Sequence, residues 1–380
     1  MQNQCRDSFY TTFPTYPSML DYHEVQARNS QWKHTQVRNL EVEPLDAKSP
    51  YFGNTAAFAG GISEEAVKDT AENLGLAIRI DGELYPVRST AYKSLLDRAK
   101  IGGTALPKLD RGVLAQTLNA CLKLFGSDAL TLIRDEKVAA VHSGDAVDYS
   151  VLPIDALLRT LQSNLDARFP ENEFEQGYSD HFISSATWKL PKQKEDLLGA
   201  YAKLLASQGK TKIADKLMPG IRFITSDTGV ASAKVSALLL GFQCPIHIGG
   251  CVSVDHRHGS TIADFEKALD QLFAQFGDNI AQLRNLLDIH LTYPVNAMTR
   301  VCKKLCMPKK AAVEAIQMFE MSYGGGSATA HDVFMAMQEI MFTMRAEKTS
   351  ESKMISLEEN MARALTLRWS DYDLARKVEY

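Results

Sequence analysis

Residues 251–260, CVSVDHRHGS, hold two histidines on either side of an arginine, with an aspartate before them. Imidazole and carboxylate groups bind metal ions and transfer protons, which is the chemistry of a metal-dependent nuclease. Two histidines are too few for a closed metal site, and the chain has neither an HExxH nor an HxE…CxxC pattern. A nuclease centre would need a distant carboxylate, and its members would be Asp255, His256, His258 and Asp227.

The same segment is also suited to an anion. A long helix is expected to begin at Thr261, and the free backbone amides of its first turn would lie beside the segment. The segment therefore predicts phosphate contacts at His256, Arg257 and His258. Their affinity for phosphate is expected to rise as the histidines protonate below about pH 6.5.

The strongest local charge asymmetry lies in residues 289–313, which contain five basic side chains and no Asp or Glu. Affinity for a phosphate backbone rises with the number of phosphates that clustered cations neutralise. Because the formal net charge of the chain is −4, any nucleic-acid binding must come from such a local patch. An ordinary solvated basic face is the alternative. The five side chains are Arg300, Lys303, Lys304, Lys309 and Lys310.

A second basic run, residues 88–100, reads RSTAYKSLLDRAK and has an aromatic ring among its cations. A hairpin expected over residues 130–141 would carry two further cations at its tip. Rings that stack on bases beside phosphate-binding cations are typical of single-strand binding. We therefore predict a groove here, with phosphate contacts from Arg88, Lys93, Arg134 and Lys137 and a stacking contact from Tyr92.

Composition and short motifs narrow the classes of protein to which the chain could belong. The chain has 380 residues, of which 45% are apolar and 23% charged, as is typical of globular proteins. Its six cysteines include no CxxC pair, and the segment QGKT at 208–211 lacks the earlier glycine and the preceding strand of a P-loop. We therefore expect no cofactor and no metal. The first residues do not read as a signal peptide, and no apolar run reaches about 18 residues, so a cytoplasmic protein without a membrane partner is expected.

Local patterns predict an α+β fold, with an antiparallel β-hairpin sheet packed with helices and followed by a mainly helical C-terminal half. Residues 63–165 read as helix, hairpin, helix, helix, hairpin and helix, and Asp81-Gly82 is a strong hairpin turn. Three regions follow from this pattern: a loop-rich N-terminal arm over 1–60, an α+β core over 61–260 and a helical region over 261–380.

Five segments in this order resemble a phage- and plasmid-borne family of unknown function, over roughly residues 70–375. They are LAIRIDGELYPVRSTAYKSLLDRAKI, LTLIRDEKVAAVHS, IRFITSDTGVASAKVSALLL, VDHRHGSTIADFEKALDQL and GGGSATAHDVFMAMQEIM with the later RWSDYDL. The most specific motifs are SDTG at 226–229 and HGS at 258–260. The chain departs from the family at Cys244-Pro245, where many relatives carry a Cys-Asn-Gly-like step.

The family is similar to the single-strand annealing proteins of phage recombination. The resemblance implies a self-associating protein in a bacterial host cell, with a basic groove, no nucleotide requirement and no hydrolytic activity. Three functions stay open. The first is non-enzymatic binding and annealing of single-stranded DNA. The second is counter-defence, in which Met-rich helices and the N-terminal arm bind a host defence protein. The third is a metal-dependent nuclease.

Overall fold

The computed structural model describes residues 4–242, 244–323, 326 and 328–380, and within these ranges the predicted α+β fold is confirmed. Antiparallel sheets are packed with helices, and the C-terminal half is mainly helical. The strands are β1 Tyr10–Phe13, β2 Gln31–Gln36, β3 Glu41–Pro44, β4 Leu76–Ile80, β5 Glu83–Pro86, β6 Asp128–Arg134, β7 Lys137–Ser143, β8 Glu173–Asp180, β9 Ser184–Lys189, β10 Met218–Thr225, β11 Ala233–Leu240, β12 Ile246–Val254, β13 His290–Leu291 and β14 Ala328–Thr329.

Twelve α-helices surround these strands in the described ranges. Short 3₁₀ turns connect several of them. The helices are α1 Tyr16–Asn29, α2 Glu64–Glu72, α3 Ala91–Ala99, α4 Arg111–Leu122, α5 Ile154–Arg168, α6 Lys194–Ser207, α7 Thr211–Lys216, α8 Ile262–Asn285, α9 Pro294–Lys304, α10 Lys309–Tyr323, α11 Ala330–Ala346 and α12 Glu351–Ala362.

The largest sheet has six strands in the order β1-β8-β9-β10-β11-β12, and all neighbours are antiparallel. Ile221 and Phe223 of β10 belong to the larger apolar core, as the two-residue period of a strand requires. Ala233 pairs with Val254, so the loop between β10 and β11 lies beside the loop that follows β12. This register sets two loops of the large sheet next to each other.

Two three-stranded sheets, β2-β6-β7 and β3-β4-β5, form the N-terminal part. The hairpin predicted at Asp81 and Gly82 is present, and both residues have positive φ, at 51° and 87°. The second predicted hairpin, β6–β7, turns at Asp135 and Glu136 with φ of 48° and 69°. Val87 pairs with Val138 in a parallel bridge that links the two small sheets.

Apolar side chains form two main cores. The smaller core draws on residues 37–141, and the larger on residues 152–369 together with Phe13 and Met19. This grouping differs from the expected division into regions at residues 60 and 260. No helix of the described ranges is long and apolar enough to span a membrane.

Residues 1–60 are not the loop-rich arm that the sequence suggested. In the described part of this region, α1 packs against α5, β1 forms an edge of the six-stranded sheet, and β2 pairs with β6. A local signal for α1 exists, because Thr15 caps the helix and Pro17 lies in its first turn. The strands have no such signal, since β1 pairs with β8 far along the chain.

Candidate functional site

A cleft of about 280 Å³ opens between the two cores, where α3 and the end of β7 face two loops of the large sheet. The loops are residues 228–232, between β10 and β11, and residues 255–257, after β12. Hydroxyls, carboxylates and cations make up most of the lining. Two segments singled out in the sequence, 88–100 and 251–260, therefore meet at one site.

Three cations line this cleft: Lys93 and Arg98 from α3, and Arg257 from the loop after β12. Lys93 and Arg257 are exposed, whereas Arg98 is half-buried and its buried Nε has no hydrogen-bond partner among the described residues. None of the three forms an ion pair with a carboxylate that the structure describes, in contrast to Arg134 and Lys137. Sequence reasoning left out Arg98, although it belongs to the same basic run.

Three carboxylates also line the cleft, from Asp97, Asp148 and Asp255. The hydroxyl of Ser232 donates to Asp255, and that of Ser143 donates to Asp148 at 3.3 Å. The site is therefore mixed in charge, and it suits a ligand that carries both an anionic group and hydrogen-bond donors.

The rim of the cleft is organised by Asp227. Its backbone oxygen accepts hydrogen bonds from His142 Nε2 at 3.0 Å and from the hydroxyl of Tyr149 at 2.8 Å. Its carboxylate pairs with Arg134, and the guanidinium holds the pKa of that carboxyl below its usual range. Arg134 is therefore a structural partner at the junction of the two cores, and its predicted role as a phosphate contact is corrected.

Three rings stack beneath this rim. Tyr149 lies 3.5 Å from His142 and 5.8 Å from His256 between ring centroids, with interplanar angles of 3° and 10°. His142 Nε2 donates to a carbonyl, and His256 Nδ1 lies 3.2 Å from the carbonyl oxygen of Ser150, so each of these two nitrogens carries a proton. Burial lowers the pKa of His142 to about 4, and it lowers the pKa of His256 as well. Both rings are neutral near pH 7.

The predicted anion site at the start of α8 is therefore corrected in two respects. His256 is buried and neutral, so its protonation below pH 6.5 does not supply a phosphate contact. The first turn of α8 is closed by a capping box, in which Thr261 and Asp264 satisfy each other's backbone amides. His258 is exposed but does not line the cleft, which leaves Arg257 as the member of this trio that does so with an exposed charge.

Two further predicted contacts, Arg88 and Lys137, are buried. Lys137 is 0% exposed and bonds to the carboxylates of Asp7 and Asp69, while Arg88 is 1% exposed and lies 4.0 Å from Asp7. A charge with that burial needs a partner inside the protein and cannot reach a phosphate in this conformation. The tip of the β6–β7 hairpin is thus part of an ion-pair network that joins it to the N-terminal segment and to α2. It does not present free cations to solvent.

Tyr92 also differs from its predicted role. Its ring is half-buried and packs against the smaller core, and its hydroxyl is buried without a hydrogen-bond partner in the described chain, so it is a packing residue rather than a freely exposed stacking platform.

The five cations of residues 289–313 lie apart from the cleft, since none of them lines it. They are Arg300, Lys303, Lys304, Lys309 and Lys310. Lys304 and Lys309 are exposed and form no ion pair with any described residue, whereas Lys310 pairs with Glu347 at 2.6 Å. Arg300 and Lys303 donate to backbone oxygens of the C-terminal segment.

The segment suggested for a nuclease and the Met-rich face suggested for a host partner both differ from expectation. The described residues contain no group of three His, Cys, Asp or Glu side chains that could hold a metal ion, and Asp227 and His256 are engaged as described above. The Met-rich face of α11 is core, because Met337, Met341 and Met344 are buried. That face offers a host protein no surface.

These features define an α+β protein of antiparallel sheets whose mixed-charge cleft lies between two apolar cores. Comparisons of the chain with protein-family models, with curated proteins and with solved structures each found no match. The resemblance to the phage- and plasmid-borne family stays a prediction from the motifs themselves.

Proposed function

We propose that this chain is a non-enzymatic protein that binds single-stranded nucleic acid, and that the cleft contacts its phosphates. One observation carries the proposal. Lys93 and Arg98 on one side, and Arg257 from a distant part of the chain, line the same cleft without a carboxylate partner among the described residues.

The chemistry of the lining favours a phosphodiester over a simple anion. Guanidinium groups present planar forks of donors that match phosphate oxygens, and Arg98 and Arg257 each bring one such group to the cleft. The three carboxylates are acceptors for sugar hydroxyls or base amino groups beside the phosphate. A volume of about 280 Å³ lies near the lower end of small-molecule pockets, so it fits one nucleotide unit of a passing strand.

The number of cations limits the salt dependence. Each phosphate neutralised on a single strand contributes about −0.7 to the slope of log affinity against log salt, so three contacts give a slope of about −2. A much steeper slope requires cations outside the cleft. We include strand annealing and self-association in the proposed function. Both rest on the family resemblance and not on the cleft.

The binding test is fluorescence anisotropy with a labelled 30-mer of single-stranded DNA. The variant K93Q/R257Q should bind about tenfold more weakly than the wild-type protein, because each lost contact removes one phosphate interaction. The matched control is K192Q/R368Q, which removes the same two charge types from exposed positions outside the cleft. Equal losses in both variants, or no binding by the wild-type protein, would sink the proposal.

A further inference from the structure

Residues 373–380, which we call the strap, lie along α9. The strap has no regular secondary structure, and it is fixed at both ends. At one end the carboxylate of Asp373 accepts hydrogen bonds from the backbone amides of Thr292 and Tyr293, at 2.8 and 2.6 Å. At the other end the hydroxyl of Tyr380 donates to the backbone oxygens of Cys302 and Met307.

Between these ends, three side chains of α9 hold the strap by its backbone. Asn296, Arg300 and Lys303 are spaced by four and three residues, so they form one stripe on the helix surface. Asn296 donates to the backbone oxygens of residues 374 and 375, Arg300 to those of 374 and 376, and Lys303 to that of 379. All of these acceptors are carbonyl oxygens.

Two cations of this stripe therefore have neutral partners. Neither Arg300 nor Lys303 forms an ion pair with a carboxylate in the described chain, so the positive charge of each is left without a counter-charge. The surrounding segment 289–313 contains no acidic residue. Lys304 and Lys309 are exposed beside the stripe, and neither is ion-paired with a described residue.

We propose that the stripe is a second phosphate-binding surface and that the strap covers it in competition with single-stranded nucleic acid. The proposal rests on the proposed function for its ligand. A phosphodiester shares one negative charge between its two non-bridging oxygens, whereas a carbonyl oxygen is neutral overall, so the phosphate is the better partner for Arg300 and Lys303. The strap compensates by being tethered, which gives it an effective concentration of roughly millimolar at its own site.

The protein then has two binding states. With the strap closed, Arg300 and Lys303 are occupied by its backbone oxygens and do not contact the strand. With the strap displaced, Arg300 and Lys303 add contacts beside the exposed Lys304 and Lys309, and both the affinity and its salt dependence increase. Arg376 and Lys377 are exposed trypsin sites within the strap, and displacement frees the backbone around them from its hydrogen bond to Arg300.

The experiment loosens the strap without altering the stripe. The variant D373A/Y380F removes both anchors, and the control D21A/Y10F makes the same changes at exposed positions far from α9 in the sequence. We expect the loosened variant to bind a labelled 30-mer of single-stranded DNA about fivefold more tightly. Adding R300Q/K303Q to it should remove that gain. In the wild-type protein, adding the 30-mer should speed tryptic cleavage after Arg376 and Lys377.

An unchanged or weaker affinity of the loosened variant overturns the proposal, and so does a gain that survives R300Q/K303Q. Slower or unchanged tryptic cleavage in the DNA-bound protein also overturns it. Failure of the cleft proposal is distinguishable, because K93Q/R257Q would then leave the affinity unchanged while the strap variants still alter it. If the loosened protein binds neither the 30-mer nor inorganic polyphosphate, both proposals fail.

Discussion

The carboxylate of Asp227 pairs with the guanidinium of Arg134, and this ion pair joins the loop after β10 to the end of β6. The same aspartate accepts two hydrogen bonds through its backbone oxygen, from His142 and Tyr149. Because β6 belongs to the smaller core and β10 to the larger, Asp227 fixes the two walls of the cleft relative to each other.

Replacing the carboxylate of Asp227 should destabilise the protein. We expect Asp227→Asn to lower the free energy of unfolding by about 3 kcal/mol, because it leaves the largely buried Arg134 without a counter-charge. The control is Glu359→Gln, which breaks the more exposed pair with Lys234 and should cost less than about 1 kcal/mol. Urea denaturation measures both. Equal losses in the two variants would contradict the assignment of Asp227 as the hub.

Buried histidines predict a pH dependence of stability. Burial lowers the pKa of His142 from 6.5 to about 4, and it lowers that of His247 to about 3. A group whose pKa is lower in the folded state binds more protons when unfolded, so stability falls as the pH drops from 6.5 towards 4. His142→Gln should remove about 3 kcal/mol of this dependence.

Denaturation curves at several pH values between 7 and 4 test this expectation. The exposed His258→Gln variant is the control, since it removes no buried imidazole. A wild-type stability that stays flat across the range would show that His142 is not held neutral in the folded state.

Gly229 should not tolerate a side chain. Its φ is +77°, and a Cβ at this position would lie 3.2 Å from His142 Cε1. Gly53 has the same φ but nothing within 4 Å, so Gly53→Ala measures the backbone strain alone, about 1–2 kcal/mol. We expect Gly229→Ala to destabilise the protein more than this, and to weaken DNA binding by displacing the loop 228–232. Equal effects of the two variants on stability and binding would contradict the contact.

Replacing Lys137 should lower stability but not DNA affinity, whereas replacing Lys93 should lower DNA affinity but not stability. Lys137→Met leaves Asp7 and Asp69 without their buried cation and should cost about 3 kcal/mol of stability, while the folded protein binds DNA as before. Lys93→Met should leave stability within about 0.5 kcal/mol and weaken binding instead. Thermal unfolding and anisotropy separate the two effects. A loss of affinity in folded Lys137→Met protein would restore the hairpin as a binding element.

Local signals in the sequence predicted the elements that local chemistry determines. The Asp81-Gly82 turn and the start of the long helix at Thr261 are indicated by neighbouring residues, and both are present. The sequence indicated residues 88–100 and residues 251–260 as separate candidate sites, but it did not indicate that they lie together. Each segment looked basic on its own, and nothing local showed that they face one cleft.

What the sequence could not show was the pairing of distant charges. Lys137 bonds to Asp7 across 130 residues, and Arg134 bonds to Asp227 across 93. A basic hairpin tip looks the same in sequence whether its cations meet solvent or buried carboxylates. The strap posed the same problem, since residues 373–380 partner Arg300 and Lys303 from the far end of the chain.

The salt dependence of single-strand binding tests the central claim most directly. Affinity for a 30-mer is measured from low to moderate salt for the wild-type protein and for K93Q/R257Q. We expect the variant's slope of log affinity against log salt to be less negative by about 1.4, because two phosphate contacts are lost at about 0.7 each. Parallel lines for the two proteins would contradict phosphate binding in the cleft.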